Sequence, residues 1–580
     1  MKINNVDWMI IIFIMTITVI VGIYSSKKAS KDTNQFFLSG KKMPWWLLGI
    51  SMVATTFSTD TPNLVTDIVR NNGVSGNWVW WAFMITGFLT VFMYARLGRR
   101  TGINSDNEFY DIRYSGKAAK FLKSFRAVYL GLIFNVLAMS GISLAAIKIG
   151  EIIFNLQPIE TIFYAGVITV LFSTLGGFRG VVLTDFFLFF ISMSGSIMAS
   201  VFIVNMPEIG GVVELFNHEN VKDKISFLPD FNKKEDLIIL FIIPLSVQWW
   251  SSWYPGAEPG GGGYIAQRML ASKNEKDAVY ATLFFNIMHY AIRPWPWILI
   301  ALCSLIIFPD LNSIFDKFPA LSENKLGHDV AYSAMLTFLP TGLIGLVVAS
   351  LISAFISTIS THLNWGALYL VNDILKPIVT SEKKLVKYAR FITIFLFVIS
   401  SLIALSLTNA LQLFNFILMF GAGTGLIFIL RGFWFRINAW SEISAMFFSG
   451  FVSIILNMQS TSSYLFGDFG IFQDYMRYPI VVFTTTIFWL IITYVTEPED
   501  QKVINSFKKR IGSGTRGFEF KKYFISNIPN ILLSVCLVIS ILVFIGSLLK
   551  AAIYLSIFSF IIICMAGYFL ILKINKTSYR

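Results

Sequence analysis

The sequence predicts an all-α polytopic membrane protein, and three observations predict it. The 580-residue chain is 55% hydrophobic and 14% charged, with a mean hydropathy of +0.68, a balance that excludes a soluble fold. Apolar runs of about 18 residues or more recur along the whole chain, about 14 or 15 of them, each long enough to cross a hydrocarbon core of ~30 Å. Two of these runs, the second and the seventh, are interrupted by residues that break helices. The polar gaps reach only about 30 residues, too short for a sizeable soluble domain. Cys303, Cys536 and Cys564 fall inside different spans, far apart in sequence, which argues against a disulfide framework or a metal cluster.

The net charge of +13 does not point to nucleic acid, because the basic residues alternate from loop to loop. Lys27, Lys28, Lys31, Lys41 and Lys42 follow span 1; Arg96, Arg99, Arg100 and Arg113 follow span 3; Lys383, Lys384 and Lys387 follow span 9; Lys502 to Lys522 follow span 13. The intervening loop 207–236 is rich in acids. This positive-inside pattern predicts a multi-pass protein of the plasma (bacterial inner) membrane with its N-terminus outside and lipid around it. Span 1 carries its lysines after the apolar run, which favours a retained helix over a cleaved signal peptide.

Taken in order, span 2 begins at Trp45 and Trp46, an interfacial anchor, and its middle, Val53 to Asn63, holds five Ser or Thr residues together with Asp60 and Pro62. An unwound stretch there would expose carbonyls, which a bilayer tolerates only inside protein or beside a cavity. Span 3 leads through a basic loop to span 4, where Lys148 and Glu151 stand three apart and are expected to satisfy one another or to snorkel. Span 5 ends in the tight turn Gly176-Gly177-Phe178-Arg179-Gly180, and span 6 opens VVLTDFFLFF with Asp185 about five residues in, an intramembrane acid and therefore a functional candidate. Span 7 breaks over 253–268, where two prolines and five glycines fall within Pro255 to Gly263 and Glu258 lies among them. Spans 2 and 7 are five apart, an odd offset that inverts the second unit relative to the first. Paired interrupted helices of this kind point to a transport site. Span 8 carries His289 and Arg293, for which Glu258 is one candidate partner.

Span 9 contains ASLISAFISTISTHLNWGALYLVND, residues 349–373. Ala354, Ser357 and Thr358 share a helix face, and Ser360 and Thr361 repeat the same step from Ser357. Hydroxyl and carbonyl oxygens suit a small hard cation; the same hydroxyls also serve elsewhere as glue between membrane helices. Asp373 closes the span beside Lys376 and reads as a solvated end charge. Spans 10 and 11 complete the second unit, and spans 12–15 carry few polar residues and read as accessory scaffold.

On these residues the chain resembles the sodium:solute symporter family over roughly 35–435. The matching stretches are FFLSGKKMPWW, ATTFS, GGFRGVVLTD, GGYIAQRMLASKNEKDA and SAFISTISTHLNWGALYLVND. The resemblance implies a LeuT-type 5+5 inverted repeat with extra N- and C-terminal helices: 1–43 an extra helix and basic loop, 44–206 the first repeat, 207–236 an extracellular loop, 237–437 the second repeat and 438–580 accessory helices. It implies a sodium ion held by the carbonyls of Ala54, Phe57 and Ala354 and the hydroxyls of Ser357 and Thr358. A second sodium, present in some members, would use Ser357, Ser360, Thr361 and Asp185.

The expected partner is a small organic solute (a sugar, polyol, amino acid or organic acid), with contacts from Thr56, Ser58 and Asp60 at the first break and from Trp253, Tyr254 and Glu258 at the second. The proline-type aspartate aligns with Thr56, the sialic-acid-type arginine of span 4 has no aligned counterpart, and the Gly-rich insert is unusual, so the sequence does not select a solute. A membrane enzyme would need a nucleophile or metal set, yet the four histidines have no ligand spacing and no phosphate-binding Gly-Lys motif occurs. A channel would need a repeated filter motif, and a transport-like sensor an attached regulatory domain; neither is seen. The oligomeric state is not legible.

Overall fold

The computed structural model describes residues 3–29, 32–252, 257–319, 321, 325–407, 410–458, 472–512 and 520–577. Among them the chain is helical throughout, and its sole strand-like feature is an isolated bridge between Met43 and Ser272. Ten helices are long and apolar enough to cross a membrane, and four shorter apolar helices (Asn5–Val21, Trp45–Thr56, Pro158–Leu171 and Ile417–Leu430) accompany them. The protein is thus a multi-pass membrane protein, and these fourteen helices account for the expected spans other than the seventh.

Helix α1 is Asn5–Ala29. Span 2 is two helices, α2 (Trp45–Thr56) and α3 (Asp60–Asn72), broken at 57–59. Phe57, at φ −87° and ψ 82°, leaves the helix, and Asp60 and Pro62 restart it. An acid suits the positive end of a helix, and a proline is tolerated in the first turn, where its missing N–H is not needed. Then follow α4 (Val74–Thr101) and α5 (Gly116–Phe154). Helix α6 (Pro158–Val204) bends at Gly177, whose φ of 54° with ψ −165° is a conformation that favours glycine. Spans 5 and 6 are its two arms.

Span 7 is also two pieces, α7 (234–248) and α8 (Gly263–Ala271). Gly260 and Gly261 take φ of 98° and 70° in the connection, which explains the glycines there. Next come α9 (Glu275–Ile307), α10 (Leu343–Leu375), α11 (Glu382–Ser406) and α12 (Ala410–Leu430). The C-terminal part is α13 (Ala439–Asn457), α14 (Phe472–Val495), the amphipathic α15 (Gln501–Ile511), α16 (Phe520–Leu549) and α17 (Ile553–Thr577).

The centre of the bundle is α6 against α10, with α1 packed on both; α2 packs on α9, α6 and α10, and α5 on α11. Helices α13 and α14 pair and lean on α12, while α16 and α17 pair and touch the bundle through α4 and α9. At one end Asn4 donates to Thr341 Oγ1 (2.8 Å) and Asp7 Oδ1 accepts from Gly342 N (2.7 Å), so the N-terminus lies with the loop that follows α9. At the other end Lys41 Nζ donates to Gly102 O (2.7 Å), Arg99 Nε to Ser272 O (2.7 Å) and Arg510 Nε to Thr101 O (2.8 Å), so the basic loops gather together.

Two expectations are corrected here. Lys148 and Glu151 do not pair with one another: Lys148 Nζ bonds Asp329 Oδ2 and Glu151 Oε1 bonds Lys325 Nζ, each at 2.8 Å, because the 308–342 loop folds over the end of α5. Asp373 is not a solvated end charge. It is buried, accepts from Ser105 Oγ at 3.3 Å and lies 3.7 Å from Lys123, since the basic loop after α4 tucks beneath α10.

Candidate functional site

The hydroxyl face of α10 is entirely buried: Ala354, Ser357, Thr358, Ser360 and Thr361 have at most 2% of their surface exposed. It meets the C-terminal end of α2. There the Phe57 N–H closes the helical ladder on Val53 O (2.9 Å) and Ala54 O (3.1 Å), and past it the chain leaves the helix. The last carbonyls of α2 therefore lack the amides of a following turn, and the helix end carries partial negative charge. Thr358 Oγ1 donates to Thr55 O at 2.6 Å, which brings the Ala54–Phe57 stretch against Ala354, Ser357 and Thr358. Every ligand atom in this set is oxygen, at the negative end of a helix whose Thr56 carbonyl is held by Arg293. The arrangement fits a small monovalent hard cation.

One turn further along α10, four helices converge on Asp185. Its Oδ1 accepts from Ser357 Oγ (2.7 Å), and its Oδ2 from Ser51 Oγ (2.5 Å). Arg268, on α8, is completely buried and reaches the same point. Its Nη2 lies 3.3 Å from Asp185 Oδ2, 2.9 Å from Thr361 Oγ1 and 3.3 Å from Thr55 Oγ1, and its Nε lies 2.9 Å from Ser51 Oγ. Thr55 and Thr361 are 3.1 Å apart, oxygen to oxygen, and Ser360 Oγ donates to Ser357 O (3.1 Å) within its own helix. The bend at Gly177 aims Asp185 at this junction, and the Phe178 ring beside the bend stacks under the Arg268 guanidinium at 5.5 Å. The second set of expected ion ligands thus holds a guanidinium.

The residues expected at the solute divide. Thr56 is buried and engaged: its Oγ1 donates to Val53 O (2.9 Å) and lies 3.1 Å from His289 Nδ1, and its carbonyl accepts from Arg293. Arg293 also stacks over Trp297 at 5.2 Å, so the suggested Arg293–Glu258 pair does not form. Glu258 instead makes a buried ion pair with Arg126 near the start of α5. The insert folds back on α4, where Gly260 N donates to Thr90 Oγ1 (3.2 Å), and this carries Glu258 away from the first break.

Ser58 is buried, and Asp60 lines a cavity of about 80 Å³ together with Asn63, Asp67, Lys148 and Asp329. Both polar atoms of the Asn63 amide are buried without a hydrogen-bond partner among the described residues. Trp253 and Tyr254 lie outside the described residues. The sequence reading missed Ser51, Thr55, Asn63, Arg126 and Arg268. Ser51 and Thr55 are four apart on the hydroxyl-rich face of α2, a signal of the same kind as the one used for α10.

A family model of the sodium:solute symporter family matches residues 36–449. The chain is 25% identical over 456 residues to the sodium/glucose cotransporter of Vibrio parahaemolyticus, covering 74% of this chain and 81% of that protein. It is 24% identical over 509 residues to the sodium/sialic acid symporter NanT of Aliivibrio fischeri, covering 84% and 92%. Among solved structures it is similar to a Na+-coupled sialic acid symporter in a substrate-bound outward-open state, at a TM-score of 0.66 and 19% identity, covering 86% of this chain and 99% of that one. At that identity the likeness speaks for the fold, which is LeuT-like. With its two broken helices and the hydroxyl face of α10 set against the first of them, the chain belongs to the sodium:solute symporter family.

Proposed function

We propose that the protein imports a small organic solute together with sodium by alternating access. The observation that carries this is the packing of Thr358 on the open end of α2, which gathers carbonyl and hydroxyl oxygens from two helices at one point. Sodium sits between the carbonyls of Ala54, Phe57 and Ala354 and the hydroxyls of Ser357 and Thr358. That donor set and the similarity to sodium-coupled proteins both support the assignment.

Sodium bridging α2 and α10 stabilises the form in which the first break is ordered, so solute then binds a preorganised site. Reciprocity requires the solute to raise sodium affinity by the same factor. Each sodium moved inward down a 100 mV potential contributes ~2.3 kcal/mol. The functional units are 44–206 and 237–437, with 1–43 and 438–580 as additions and 207–236 outside, in an inner membrane with the N-terminus outside.

The solute is bound from the first break by Thr56, Ser58 and Asp60, joined by the unpartnered amide of Asn63, and from the second by Trp253 and Tyr254. Glu258 serves as a latch on Arg126. Polar walls with free amide valences favour a hydroxyl-rich solute, a sugar or polyol, and the similar proteins named for glucose and sialic acid agree with that class. The cavity of about 80 Å³ beside Asp60 and Asn63 is well under the ~300–1,000 Å³ of small-molecule sites, so the solute needs more room there than this form gives.

The test is a thermal-shift screen of the purified protein against sugars, polyols, amino acids and carboxylates, run in sodium and in potassium. A sugar or polyol that stabilises only in sodium is the expected result. Stabilisation indifferent to sodium contradicts the coupling.

A further inference from the structure

We propose that Arg268 is a built-in cation that takes the place of a second sodium, so that one sodium ion binds per chain. The inference rests on the sodium-coupled reading and concerns its stoichiometry.

A second ion would need the oxygens of Ser357, Ser360, Thr361 and Asp185. The guanidinium of Arg268 already spans the charged and hydroxyl part of that set: Nη2 contacts Asp185 Oδ2 and Thr361 Oγ1, and Nε and Nη2 draw in Ser51 and Thr55 on the facing helix. Asp185 Oδ1 is already engaged by the Ser357 hydroxyl, whose oxygen keeps its lone pairs for the first ion, and Ser360 Oγ donates to Ser357 O within its own helix.

Charge decides between the two occupants. Among the described residues Asp185 is the sole acid in contact with the guanidinium, and its single negative charge is matched by a group that stays protonated at every physiological pH. Adding sodium would place a second positive charge against one carboxylate in a fully buried site, where like charges are poorly screened. A free ion leaves when the site opens to water. Arg268 is tethered to α8, shows no exposed surface and is sandwiched by Phe178 at 5.5 Å and Tyr264 at 5.9 Å, so it stays through the cycle. The first ion position contains no such group. Among the described contacts Thr358 Oγ1 donates to Thr55 O, and the guanidinium of Arg293 is held on the neighbouring Thr56 O rather than on the carbonyls of Ala54, Phe57 or Ala354.

The experiment is equilibrium binding of radioactive sodium to the purified full-length protein in detergent, with choline as the replacing cation and no solute. The wild type should bind one sodium per chain with a slope of one. Arg268→Gln removes the charge and leaves Asp185 in need of a counter-ion, so it should bind two. Thr358→Ala should lose the single wild-type ion. Two sodium ions per wild-type chain would overturn the proposal, whatever the variants do, and so would a single ion that persists in Thr358→Ala. No saturable sodium binding at all would overturn the sodium-coupled reading beneath it, a distinguishable failure.

Discussion

Ser357 and Thr358 sit side by side on α10 but do different work. Thr358 joins α10 to the open end of α2 through Thr55 O, whereas Ser357 is tied to Asp185. Removing an oxygen that faces a charged partner typically costs ~1.5–3 kcal/mol, or roughly 10- to 100-fold in affinity. We therefore expect Ser357→Ala and Thr358→Ala each to weaken sodium binding by roughly 10- to 100-fold, read as the sodium concentration that half-maximally stabilises the protein. Ser360→Ala should weaken it less, because Ser360 Oγ donates only within its own helix. Equal sodium titrations for wild type and Thr358→Ala would remove the assignment.

At this scale the sequence was readable where a polar residue stood in an apolar run. Asp185 and the α10 hydroxyls announced themselves that way. Arg268 did not, because it follows a glycine-rich break and read as loop, and its partners on other helices lie 83 to 217 residues away. Lys148 and Asp373 were misread for a related reason: the loops that bury them are invisible to helix periodicity.

The two breaks and the bend in α6 are what turn a set of hydrophobic helices into a site. Proline, glycine and clustered hydroxyls made both breaks legible, since each residue type acts on the local backbone. The docking of the insert was not legible, because the Glu258–Arg126 pair depends on how α5 approaches it. The bend at Gly177 is the sharpest requirement. Its φ of 54° with ψ of −165° costs a residue with a side chain ~1–3 kcal/mol, so Gly177→Ala should lower the melting temperature and displace Asp185 from Ser51 and Arg268. Thermal denaturation of the purified variant checks this. A melting temperature equal to wild type would show that the bend is not strained by a side chain.

For the whole molecule, the alternation of basic and acidic loops foretold which ends lie together, and the contacts of Asn4 with Thr341 and of Lys41 with Gly102 agree with it. The orientation we propose from the positive-inside asymmetry puts the N-terminus outside. An epitope tag at the N-terminus should be reached by antibody on intact cells stripped of any outer layer. A tag inserted after Ile511 should be reached only after permeabilisation. The reverse pattern would invert the topology and with it the direction of import.

The C-terminal helices were legible as elements, but their arrangement as two pairs, α13 with α14 and α16 with α17, was not, because a mostly apolar sequence does not say which helix lies beside which. Such helices are placed by packing rather than by pattern.

The central claim is that sodium held between α2 and α10 drives solute uptake. Its most direct test is accumulation of the solute found in the thermal-shift screen by protein reconstituted into liposomes, with an inward sodium gradient or an equal potassium gradient. We expect concentrative uptake with sodium alone, enhanced by an inside-negative potential and abolished in Thr358→Ala. Uptake of the same size in potassium, or unchanged in Thr358→Ala, would contradict the account.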